Sequence, residues 1–264
     1  MNNNEQKIMV PNGWVVSEEV MSDGSRMLVI KPDTATTDDT ACNQREGIFK
    51  KVPASELRLN DEFLKYCPKT EEEQYFKSLV ETAIKSGLKD YWRPVCDPSL
   101  YNTGYNIYYE PGNVPFYGTN LYKWWERVAR EFKPEQRSRL GTKNEYIAFL
   151  AVLIKELVNS GKSVEWAWNA VCNDSNELGH YRNSVNSKDG VEVTGSREIC
   201  GFFDLANTWK IVVEHEYSAD FWLAGGAYYQ KGDFSPLATL VYGGSSCNTR
   251  GACGWIVFDG CPDC

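Results

Sequence analysis

The sequence predicts an α+β fold with a small N-terminal β-hairpin, and three observations carry that expectation. Near the start, two bursts of alternating apolar and polar residues flank a turn signal. Further on, two Thr-x-x-Glu patterns each open an apolar stripe with helical spacing. Between them, a stretch rich in Tyr, Gly, Asn and Pro suits loops or short strands rather than a helix.

Taken in order, Trp14-Val15-Val16 and Met27-Leu28-Val29-Ile30 form the two bursts within Ile8 to Ile30, with Ser22-Asp23-Gly24-Ser25 as the turn. The polar, breaker-rich segment Pro32 to Asn43 follows as a linker. Residues 1–50 are therefore expected to form a hairpin and linker, and 51–264 the main domain. Thr70-Glu71-Glu72-Glu73 starts a helix whose stripe is Phe76, Leu79, Val80, Ala83 and Ile84, ended by Gly87. Tyr101 to Tyr117 is the tyrosine-rich stretch. Leu121, Trp124, Trp125, Val128 and Phe132 then mark an amphipathic helix, polar at Lys123, Glu126, Arg127 and Arg130. Thr142-Lys143-Asn144-Glu145 opens a further helix with Ile147, Leu150, Ala151, Ile154 and Val158 on one face. Phe149 and Leu153 widen that face, so this helix should pack on more than one side. Ser163 to Gly195, including Trp166 and Trp168, reads as mostly loop because it is rich in Asn, Ser, Asp and Gly.

Composition narrows the function. With 264 residues, 42% hydrophobic and 24% charged, the chain can bury a full core without staples. A formal charge of −8 and the lack of a dense Lys/Arg cluster argue against nucleic acid as a partner. The longest apolar run, Ile147 to Ile154, is too short for a membrane span. The first residues lack the basic region and apolar run of a secretory signal, so synthesis in the cytoplasm is expected. His180 and His215 have no Cys, His or carboxylate at ligand spacing, and no phosphate loop, HExxH or GxSxG occurs. Nine cysteines are irregularly spaced, and Cys261-Pro-Asp-Cys264 stands without a second CxxC. Neither a metal nor a cofactor is expected.

The tail from Cys200 to Phe258 is the working end. There Gly225-Gly226 lies between Trp222 and Tyr228-Tyr229, a flexible backbone point among rigid amphipathic side chains suited to contacting a ligand.

Several segments resemble, in order, the C-type lectin-like fold in its formylglycine-generating-enzyme form. Arg139-Leu140-Gly141-Thr142-Lys143-Asn144-Glu145-Tyr146 resembles that family's RLPTEAEW helix start, and PGNVPFYGTNLYKWWERVA the segment before it. Thr194-Gly195-Ser196 and Gly201 to Trp209 are similar to VGS and GLYDMAGNVWEW. Leu223-Ala224-Gly225-Gly226-Ala227-Tyr228 resembles RGGSW, and Gly254-Trp255-Ile256-Val257-Phe258 stands where the terminal GFR strand would. The resemblance implies a C-type lectin-like domain over 51–264. The family's oxidase members carry two cysteines shortly after the GGSW-like element, and Tyr229 to Ser235 has none.

Another branch, the variable proteins diversified by retroelements in phages and bacteria, better resembles what remains. It implies a non-enzymatic protein that binds a protein or cell-surface ligand through a region of about 221–258. The expected contact residues are Trp222, Tyr228, Tyr229, Gln230, Lys231, Asp233, Phe234, Tyr242, Asn248 and Arg250, with Asp204, Asn207 and Trp209 structural. Display on a phage particle is part of that expectation, and assembly into a homo-oligomer is left open. The rivals are a thiol oxidase of the sulfatase-modifying type using Cys247 and Cys253, and a phage structural subunit.

Overall fold

A computed structural model describes residues 14–20, 26–32, 48–100, 107–108, 137–178, 198–203, 205, 209–216, 218, 220–226, 236–244 and 252–262. The helix expected around Leu121 to Phe132 lies outside the described residues. The chain divides into two compact units, Met1–Glu46 with Asp263–Cys264, and Gly47–Pro262. In the first, β1 (Trp14–Val20) pairs antiparallel with β2 (Arg26–Pro32), Trp14 opposite Pro32 and Val20 opposite Arg26.

The second unit mixes helices and sheets. Helix α1 (Glu71–Lys85) begins where the Thr70 hydroxyl accepts the Glu73 N–H. Its box is only half formed, because the buried Glu73 carboxylate accepts instead from the Lys69 N–H at 2.6 Å and the Asn173 amide at 2.9 Å. Phe76, Val80 and Ala83 are buried as their spacing requires. Helix α2 (Lys143–Asn159) has the complete reciprocal box, with Thr142 N–H donating to Glu145 at 2.8 Å. Every residue from Tyr146 to Ile154 is buried, so this helix is the central post of the core, packed against α1 and against α3.

Helix α3 (Val164–Cys172) corrects the reading of Ser163 onward as loop. Ser163 caps it by accepting the Trp166 N–H. Val164, Ala167, Trp168, Val171 and Cys172 recur at helical spacing, and all but the first are buried. Tertiary burial of Trp168, whose indole N–H donates to the Phe63 carbonyl at 3.0 Å, outweighs the polar composition that follows.

Two four-stranded sheets complete the unit. One has the order β3 (Phe49–Val52), β4 (Tyr91–Pro94), β14 (Ile256–Phe258), β7 (Ser138–Leu140), all antiparallel. The other has the order β12 (Leu240–Gly244), β11 (Phe221–Ala224), β10 (Trp209–Val213), β13 (Ala252–Gly254), with β10 and β13 parallel. Short pairs β5 (Ser99–Leu100) with β6 (Ile107–Tyr108), and β8 (Glu198–Ile199) with β9 (Phe202–Phe203), are separate.

β13 and β14 are consecutive, and the chain passes from one large sheet to the other at Trp255. There the Trp255 N–H donates to Ile211 and its carbonyl accepts from Gly141, while Gly141 accepts from Val213. A Cβ on Gly141 would stand 2.2 Å from the Trp255 ring, so only glycine admits this approach. The ring packs edge-on against Tyr91 and Tyr146 and lies tilted against Phe149.

Candidate functional site

The described part of the tail brings Trp222 and Tyr242 together. β11 and β12 pair with Trp222 opposite Tyr242, and the two rings meet edge to face at 5.4 Å. Trp222 is half-buried against the main core, whereas Tyr242 is 56% exposed. Just past β11, Gly225 takes a positive φ of 76°, which favours glycine, and donates its N–H to the Thr239 carbonyl.

Each aromatic donates to its own carboxylate. The Trp222 indole N–H reaches Glu214 and the Tyr242 hydroxyl reaches Asp220 Oδ1 at 2.9 Å. Lys143, the first residue of α2, donates to both Glu214 oxygens at 2.8 and 2.9 Å and stands 4.5 Å from the Trp222 ring centroid. Between β10 and β11 the Glu214 N–H donates to the Asp220 backbone carbonyl at 3.0 Å, which ties together the backbone positions that carry the two carboxylates. The result is a hydrogen-bonded aromatic platform with a charged rim.

Electrostatics hold this rim. Burial pushes the Glu214 carboxyl upward, but hydrogen bonds from Lys143 and Trp222, with the Lys143 charge, outweigh it and leave the group below its ordinary value. The Tyr242 hydroxyl is raised, chiefly by its hydrogen bond to Asp220. Because the folded Glu214 value is depressed, its contribution to stability is present above the unfolded value of 4.5 and is lost as pH falls through the folded one. Urea midpoints should therefore fall on acidification in the native protein, and less steeply in Glu214→Gln; equal slopes would refute the assignment.

Of the other expected contact residues, Tyr228, Tyr229, Gln230, Lys231, Asp233, Phe234, Asn248 and Arg250 lie outside the described residues, as do Asp204 and Asn207. Trp209 packs against the second core cluster. Cys247 is also outside, and Cys253 is fully buried in β13 with its thiol 3.7 Å from the Gly254 carbonyl, away from any surface a substrate could reach. Sequence reasoning missed Lys143, Glu214 and Asp220. Glu214 and Asp220 bracket a charged turn after an apolar strand, which was a readable sign of a rim. Lys143 meets Glu214 only across 71 residues of chain.

A second polar feature lies inside. Arg93 is buried with its guanidinium 4.5, 5.0 and 5.7 Å from the rings of Phe149, Phe202 and Trp255. Nearby Lys210 and Asp97, each 3% exposed, form an ion pair. On the surface, a polar groove of about 510 Å³ lies beside the start of α2, where Arg139 pairs with Glu145 and Asp259 and Arg137 with Glu216. Another, of about 550 Å³, lies between α1, α3 and residues 236–240. Among the described residues no group of three or more His, Cys, Asp or Glu side chains could hold a metal ion, and no helix is long and apolar enough to cross a membrane. In comparisons with known proteins, the chain matches no family model and no curated protein.

Proposed function

We propose that this chain is a non-enzymatic recognition protein with a C-type lectin-like domain, of the retroelement-diversified variable type, binding a protein or cell-surface ligand through the β11–β12 end of its tail. The observation that carries the reading is the platform itself. Tyr242 is exposed, yet its ring is held by Trp222 and its hydroxyl by Asp220, so contact area is offered with little entropy left to lose on binding. Aromatic anchors fixed by surrounding hydrogen bonds are how binding sites gain affinity from few residues. The burial of Cys253 weighs against the thiol-oxidase alternative.

The test is capture of labelled protein by a panel of bacterial surfaces. Tyr242→Ala should weaken capture at least about tenfold, a loss of about 1.4 kcal/mol, while the melting temperature stays close to that of the native chain. Trp222→Ala should weaken it as well, with some loss of stability because that ring also packs on the core. Capture unchanged in both variants would refute the recognition reading. A near-copy of the segment encoding Phe221 to Phe258, beside a reverse transcriptase gene, would identify the diversified type.

A further inference from the structure

The platform contains the same arrangement twice, and among the described residues only one copy holds a cation. In the first, Trp222 donates to Glu214, and the Lys143 ammonium both pairs with that carboxylate and stands over the indole ring. In the second, Tyr242 donates to Asp220 in the same way, with the ring 56% exposed and the carboxylate exposed beside it. Among the described residues no cation pairs with Asp220 or lies over Tyr242. Glu216, the next carboxylate along the turn, is engaged by Arg137, and Glu214 by Lys143, so among the described residues Asp220 is the carboxylate of this rim without a positive partner.

We infer that the Tyr242–Asp220 pair is a receptor for an arginine side chain presented on the surface of the partner protein. This rests on the recognition reading above and names the chemistry of the ligand. A guanidinium fits because it is planar, stacks on an aromatic face and donates in a fork to a carboxylate, so one side chain satisfies both members of the pair. Preorganisation favours it too. The hydroxyl bond at 2.9 Å holds the acceptor at the ring edge before the ligand arrives, as the indole bond does for Lys143. Charge agrees in sign, since the chain carries a formal −8 and would draw a basic partner surface towards this rim.

The experiment uses the full chain and two small probes, N-acetyl-arginine methylamide and its neutral isostere N-acetyl-citrulline methylamide. Each is titrated while the Tyr242 ring and Trp222 indole resonances are followed. The arginine probe should give saturable shifts that weaken as salt is raised, and the citrulline probe should bind at least fivefold more weakly. Asp220→Asn should lower the arginine affinity at least fivefold with an otherwise native spectrum, and Tyr242→Leu, which keeps the carboxylate, should lower it also. A citrulline response equal to that of arginine, no saturable response to arginine, or undiminished binding in Asp220→Asn would each overturn the inference. The two proposals fail separately: loss of surface capture in Tyr242→Ala with no preference for arginine sinks the arginine receptor alone, whereas unchanged capture in both alanine variants sinks the recognition reading.

Discussion

Replacing Trp255 with alanine is expected to cost about 3–5 kcal/mol, the range for deleting a large aromatic from a packed core. Trp255 is 2% exposed and touches Tyr91, Tyr146 and Phe149, which come from β4 and from one face of the first two turns of α2. The void would open where the chain leaves β13 for β14, so both large sheets would lose a common support. The neighbouring Gly141 backbone cannot move in to fill it without giving up its bonds to Trp255 and Val213. Urea denaturation of the variant provides the measurement. A loss of less than about 1 kcal/mol, within the range of ordinary surface substitutions, would mean that the ring does not carry the junction.

Asp97→Ala is the second large effect, again about 3–5 kcal/mol, because it leaves buried positive charge without the carboxylate that faces it. Lys210 and Arg93 are both 3% exposed, and Asp97 pairs with the first and offsets the desolvation of the second. Adding Lys210→Met to Asp97→Ala should restore a large part of the loss, since an apolar side chain of similar length replaces a buried ammonium that has lost the Asp97 carboxylate. If the double variant is no more stable than Asp97→Ala alone, the penalty does not come from the loss of Asp97 at Lys210. The cycle separates the energy of the pair from the cost of breaking it.

How much of this was legible in the sequence depends on the range of the forces involved. Helices α1 and α2 were readable because their caps and stripes are local, Thr70 to Ile84 and Thr142 to Val158. Helix α3 carried the same signals in Ser163, Ala167, Trp168 and Val171, but they occupy nine residues and run into a polar stretch, so composition masked the period. The order of the sheets was not readable. Placing β13 beside β10, and β14 between β4 and β7, depends on contacts between distant parts of the chain for which no short pattern exists. The same distinction applies at the candidate site. Trp222 and Tyr242 stood out as aromatics near paired glycines, whereas the roles of Lys143, Glu214 and Asp220 arise only when α2, the β10–β11 turn and the β11–β12 pair meet. The incomplete box of Glu73 is a further case, since a partner at Asn173 drew its carboxylate away from the expected bond.

The passage from β13 to β14 at Trp255 also sets a timetable for synthesis. Among the described residues β7 pairs with no strand but β14, and β4 gains its second neighbour only from β14, so these earlier segments leave the ribosome with open edges. Neither large sheet can be finished until the stretch from Ala252 to Phe258 has been made. Open edges invite association with other chains while they last. A nascent chain of this protein would therefore depend on rapid synthesis of β13 and β14 or on a chaperone until they arrive, and any change that slowed their docking would lengthen that exposure.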